Sequence, residues 1–221
     1  MNDDYRITKY CKPIVNLENK KKLVVEKIKK DHPKAKDMHT YISSNTQPYK
    51  KTFMEAYNFK CAYCGASIDI FPFEIFEIDH FIYEKSFEKK ADAGFIENLV
   101  LACHSCNHRK SALSLPEDDR EYLHPDKEKI KETFKRDELY RIVISEKFKT
   151  NKTVKQFYET LGLGEEFHRL DYLLLSMIGL QRRLENDPEK YAMLGQAIYR
   201  LQIKRNTMGT LKNVNDIKEV V

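Results

Sequence analysis

Four cysteines stand as two close pairs, Cys61-Ala-Tyr-Cys64 and Cys103-His-Ser-Cys106, with residues 65–102 between them. Each pair sets two sulfurs on one tight turn. Two such turns offer the four thiolates that Zn²⁺ takes in a closed tetrahedral site, with Zn–S near ~2.3 Å. The separation exceeds the spacer of a small zinc ribbon, so an inserted element must fit between the two knuckles. The alternatives are four buried thiols or two disulfides, and the paired spacing without a secretion signal favours zinc over both. Cys11 is left over and reads as a small core residue.

The residues between and after the pairs carry a second set of chemical groups. Asp79-His80 closes an apolar, β-prone stretch that begins at Phe73, and Asn98-Leu-Val-Leu-Ala102 reads as a returning strand. The charged stretch 83–97 between them reads as a loop or short helix followed by a turn. Cys106-Asn107-His-Arg-Lys110 continues to Leu113 as a short helix closed by Pro116, with Asn107 and Lys110 on one face.

The order Asp-His, then Asn, then Cys-Asn-x-x-Lys over residues 58–115 resembles the HNH endonucleases, the ββα-metal group. That resemblance implies an endonuclease acting on DNA, with Asp79 and Asn107 as ligands of a catalytic Mg²⁺ or Mn²⁺ ion and His80 as general base. It implies that Asn98 ties the loop and orients His80, and that Lys110, with Arg109 beside it, contacts nucleic acid. Tyr83 stands where the family often has Pro, and Asn107 where it often has His, an Asn variant also seen in RNA-guided nucleases. A fainter, distributed resemblance links the layout to nuclease subunits of bacterial anti-phage systems such as Septu. It implies an antiviral defence effector whose helical C-terminal part meets a regulatory ATPase or sensor subunit.

The residue types suit phosphodiester hydrolysis. A histidine of ordinary pKa near ~6.5 accepts a proton around neutral pH. A hard cation prefers oxygen ligands and leaves its remaining positions to water and phosphate, which matches a one-metal mechanism. Adjacent residues on a strand point to opposite sides, so Asp79 and His80 can serve ion and base separately only if the chain bends there. Singly these residues also have plainer readings: Asp79 and Asn107 as turn caps, His80 as a strand-end histidine, Lys110 as a solvated helix residue. His104 and His108 are second choices for the site, and His32, His39, His124 and His168 have no partner that sequence identifies.

The elements around this core are mostly helical, giving an α+β chain with a central ββα-metal core between helical flanks. We expect a basic helical arm at 1–57, the nuclease core at 58–115, a helical region at 116–205 and a loosely attached tail at 206–221. The 221 residues, 33% charged and 41% hydrophobic, are those of an ordinary folded protein. No apolar signal core or membrane-length run is read, so a cytoplasmic location is expected. The net charge of +5 is uneven. Residues 1–60 hold 14 Lys or Arg against 7 Asp or Glu, while residues 61–115 hold 5 against 8. Phosphate affinity must therefore come largely from the flanks. Lys20, Lys21, Lys22, Lys27, Lys29 and Lys30 form the densest cluster, either a DNA-facing surface or the solvated face of a helix at 18–31 that buries Leu23, Val24 and Ile28. Further helices are expected at 126–136, 153–161, 165–184 and 188–205, with a strand at 138–144. The rival to an endonuclease is a zinc-stapled module that holds nucleic acid without cutting it.

Overall fold

The computed structural model describes residues 4–44 and 48–218, with side chains up to residue 208. Helix α1 (Leu17–Asp31) buries Lys21, Val24 and Ile28, one stripe at helical spacing, and α3 (Tyr49–Ala56) packs across it with Phe53 and Met54 fully buried. Between them lies the short α2 (Met38–Ile42), whose N-cap Asp37 accepts hydrogen bonds from the Thr40 amide and hydroxyl. The expected burial of Leu23 is corrected: it is 60% exposed, and Lys21 takes the inward place. Lys21 Nζ reaches the Leu99 carbonyl at 2.8 Å and Asp126 at 2.7 Å, which satisfies its charge inside the protein. This removes Lys21 from the basic surface while its neighbours Lys22, Lys27, Lys29 and Lys30 stay exposed.

The centre is a two-stranded antiparallel hairpin. β1 (Phe76–His80) pairs with β2 (Leu99–Cys103) in the register Phe76↔Cys103 to His80↔Leu99, with the single-turn α4 (Lys90–Ala93) in the loop between them. Because β2 ends on Cys103, the helix α5 (His104–Lys110) starts inside the second knuckle and folds back over β1 and β2. Beyond it come α6 (Glu117–Leu123), α7 (Ile130–Thr133), a small hairpin of β3 (Phe134–Arg136) and β4 (Ile142–Ile144), α8 (Lys152–Leu161), α9 (Glu166–Gln181) and α10 (Pro188–Lys218). The helix expected at 126–136 is thus a single turn that runs into β3, because Phe134 is fully buried in the hairpin beside the rings of Tyr5, Phe157 and Tyr158. α8 ends as expected, with Gly162 in the left-handed conformation at φ 64°.

α9 and α10 form the most extensive helix–helix contact. Residues 206–218, expected as a loose tail, continue α10 as helix, and residues 219–221 lie outside the described residues. One core runs from α1 and α3 through the hairpin and both knuckles to α8. The architecture is the mostly helical α+β fold expected. Among the described residues no helix is long and apolar enough to cross a membrane.

Candidate active site and metal clip

The first knuckle, residues 61–65, is held by backbone on every side. Cys61 N donates to Ala66 O at 2.7 Å, Gly65 N to Cys61 O at 3.0 Å, and Ala62 N to Leu101 O at 2.7 Å, which fastens the knuckle to β2. Gly65 turns at φ +79°, and a Cβ there would strike the Arg6 backbone. Arg6 itself is buried, paired with Asp4, and donates to Ala62 O at 2.8 Å and Pro125 O at 2.7 Å. Residues from the N-terminal arm and from beyond the core therefore close around one turn.

This places the sulfurs of Cys61, Cys64, Cys103 and Cys106 within 4.8 Å of one another, all buried. Cys64 Sγ and Cys103 Sγ lie 3.8 Å apart. That is far beyond a disulfide bond and equals the edge, ~3.8 Å, of a tetrahedron whose centre is ~2.3 Å from each sulfur. Burial opposes ionisation of Cys61, yet hydrogen bonds from Cys103, Cys106 and Cys64 bring its thiol well below the ordinary value. Buried thiols that gather around one thiolate are the donor set a zinc ion takes, so the residues fit the metal.

The hairpin and α5 assemble the second group. Strand alternation sends Glu77 and Asp79 to the α5 side and Ile78 and His80 to the other. Asp79, 6% exposed, accepts from Tyr63 Oη at 2.6 Å and Lys110 Nζ at 3.0 Å. Burial pushes the Asp79 carboxyl up, against the pull of Lys110 and Tyr63. Lys110 Nζ also donates to the His80 carbonyl at 2.9 Å. The expected contact of Lys110 with nucleic acid is corrected: at 1% exposure its ammonium is spent on Asp79 and the end of β1. Arg109 stays partly exposed, in a bidentate pair with Glu165 at 2.6 and 3.2 Å and over the ring of Phe167. The bland reading of Lys110 as a solvated residue fails equally.

One helical turn earlier on α5, Asn107 Nδ2 donates to Glu77 Oε2 at 2.5 Å, and Glu77 Oε1 meets His104 Nδ1 at 2.8 Å. Burial works against the Glu77 charge, but the Asn107 and His104 contacts hold its carboxyl below the usual range. Sequence reasoning passed over Glu77; its position two residues before Asp79, on the same face of the strand, was the available signal. His104 binds this carboxylate at the surface.

Asn98 ties the loop that follows β1 to the segment before β2. Its Oδ1 accepts from Ile82 N at 2.7 Å, and its Nδ2 donates to Ile82 O at 3.1 Å and Ala93 O at 2.9 Å. The bend this enforces comes after His80, not between Asp79 and His80, since His80 still pairs with Leu99. His80 accordingly faces away from α5 and stacks on His39 of α2, ring centroids 4.2 Å apart. Burial, then the neighbouring His39, lower the His80 imidazole to about 4, so it is neutral at pH 7.

Knuckles, hairpin, Asn98 tie and helix occupy residues 61–113, and that segment matches the family model of the HNH endonuclease. These residues are an HNH endonuclease domain. No curated protein and no solved structure matches the chain. The wider resemblance to anti-phage effector subunits gains nothing from these comparisons, and the HNH domain alone carries the functional reading. Everything outside 61–113, including α2 with His39 and the α9–α10 pair, is an addition to that domain.

Proposed function

We propose that this protein is a divalent-metal-dependent endonuclease that hydrolyses DNA phosphodiester bonds by a one-metal mechanism, with His80 as general base. The observation that carries the proposal is the convergence of Asp79, Glu77 and Asn107 on one side of β1, with a neutral His80 ending the same strand. Carboxylate and amide oxygens are the donors that Mg²⁺ or Mn²⁺ prefers, so the residues fit such an ion.

Asp79 and Asn107 would hold it, with the half-buried Glu77 offering a further carboxylate. Each Asp79 oxygen accepts one hydrogen bond, from Tyr63 or Lys110, and keeps a further lone pair that an ion could take. When bound, the ion supplies charge compensation to the phosphate and the departing 3′ oxygen. His80 takes the proton of the attacking water, leaving a 3′-hydroxyl and a 5′-phosphate. The Asn98 tie fixes the loop that leaves the strand directly after His80, and the zinc clip fixes the start of α5 against the end of β2. Asp79 and His80 lie on opposite faces of β1 with no bend between them, so we place the scissile phosphate past the end of β1, where it can be reached from both faces. DNA backbone affinity is assigned to the flanks, above all the exposed lysines of α1.

Cleavage of supercoiled plasmid in Mg²⁺ or Mn²⁺ tests the proposal, with His80→Ala and Asn107→Ala as variants. Wild type is expected to nick or linearise the plasmid and both variants to fail. Undiminished cutting by His80→Ala would reject the base assignment. Plasmid retention without cutting, by wild type and variants alike, would favour the zinc-stapled binding module.

A further inference from the structure

We propose that His39, outside the HNH domain, is a positioning residue that holds the His80 imidazole in its reactive orientation; this rests on His80 being the general base. His39 touches β1 twice. Its ring stacks on that of His80 with centroids 4.2 Å apart and planes inclined by 34°. Its Nε2 lies 3.2 Å from the carbonyl oxygen of Ile78. A carbonyl only accepts, so His39 carries its proton on Nε2 and donates it to the strand.

The helix that presents His39 is pinned independently of these contacts. Asp37 caps α2 through the Thr40 amide and hydroxyl. The Met38 amide donates to Gly94 O at 2.9 Å, in the loop of the HNH hairpin. A Cβ at Gly94 would collide with the Asp37 carboxylate, so the close seat of α2 on that loop needs glycine there. α2 is thus docked on the hairpin by backbone at one end and grips the base-bearing strand with His39.

A general base must present a lone pair within hydrogen-bond reach of the water it activates, and its ring must not rotate away. His80 has no side-chain hydrogen bond of its own among the described residues, so no hydrogen bond fixes its ring plane and the His39 ring is the aromatic contact against it. The His39 ring covers one face and leaves the ring edge, where the nitrogens are, as the direction of approach. Misplacing a catalytic group by about 1 Å costs on the order of 100-fold in rate. A device that orders one imidazole is therefore worth a dedicated helix.

The test uses the full zinc-loaded chain and compares wild type with His39→Ala, His39→Phe and His39→Gln, with His80→Ala as the reference for loss of the base. Plasmid cleavage is measured as kcat and KM, and the His80 ring signals are followed by NMR on protein labelled at histidine carbons. His39→Ala is expected to lower kcat by about 10–100-fold with KM unchanged, and to shift and broaden the His80 signals. His39→Phe, which keeps a ring to stack, is expected to recover more of both than His39→Gln, which keeps only a donor. Should His39→Ala fold poorly, the phenylalanine and glutamine variants carry the comparison. Wild-type kcat or unmoved His80 signals in the His39 variants would overturn the proposal. Failure of the nuclease reading looks different: no protein cuts plasmid, or His80→Ala cuts as wild type does, and the NMR signals then decide the His39 contact alone.

Discussion

Replacing Lys110 with methionine separates two incompatible pictures of the HNH helix. In the structure Lys110 is 1% exposed, its ammonium 3.0 Å from an Asp79 carboxylate that is itself 6% exposed. Lys110→Met keeps the length of the side chain and removes its charge, leaving Asp79 buried with only Tyr63 as partner. Breaking a buried pair from one side costs roughly 3–5 kcal/mol. For a chain of this size each kcal/mol moves Tm by about 2–4 °C, so Tm should fall by about 6–20 °C. The double variant Lys110→Met with Asp79→Asn removes both charges and should recover most of that loss. Thermal unfolding of the zinc-loaded proteins by circular dichroism reads the shifts. A phosphate-contacting lysine behaves oppositely: stability stays put and the slope of log K against log salt for DNA binding becomes shallower by about 0.9. Wild-type Tm in Lys110→Met, together with that shallower slope, would refute the buried-pair assignment.

Other outcomes follow from the same geometry. One zinc per chain is expected by metal analysis, and a strong chelator should unfold the region around the knuckles, since structural zinc is worth on the order of 10 kcal/mol; native far-ultraviolet spectra after complete zinc removal would contradict this. Asn98→Ala breaks three hydrogen bonds to backbone groups, one of them buried, and should cost about 2–4 kcal/mol while zinc content stays at one equivalent; a stability loss within experimental error would mean that water replaces the tie. His168 is 2% exposed with neither ring nitrogen hydrogen-bonded, and burial depresses it to about 3. The unfolded chain therefore binds the proton first, near pH ~6.5, and the neutral buried ring loses stability as pH falls from there towards about 3. Between pH 7 and pH 5 the stability of wild type relative to His168→Leu should drop by on the order of 2 kcal/mol, and a constant difference in urea unfolding would show that the ring has found a partner.

Spacing by itself determined the four-cysteine cluster, the hairpin and the helix that follows, because each depends on local rules, whereas the tie at Asn98 was implied by the resemblance to HNH endonucleases. A C-x-x-C turn sets its sulfurs whatever surrounds it, and a left-handed glycine ends α8 wherever the chain carries it. The direction of each polar side chain was a different matter. Lys21 and Lys110 read as surface charges in the sequence, yet each is enclosed, because a carboxylate and a backbone carbonyl from distant segments meet its ammonium. Such partners, Asp126 for Lys21 and Asp79 for Lys110, come together only when helices and hairpin pack, and no periodicity encodes that meeting. His39 shows the same limit from the other side: forty-one residues before His80, with no motif around it, it becomes the neighbour of His80 because α2 docks on the hairpin loop at Gly94. Covalent neighbours and periodic faces are written into the chain, whereas the pairing of charges and rings across the core is decided by which surfaces exclude water together.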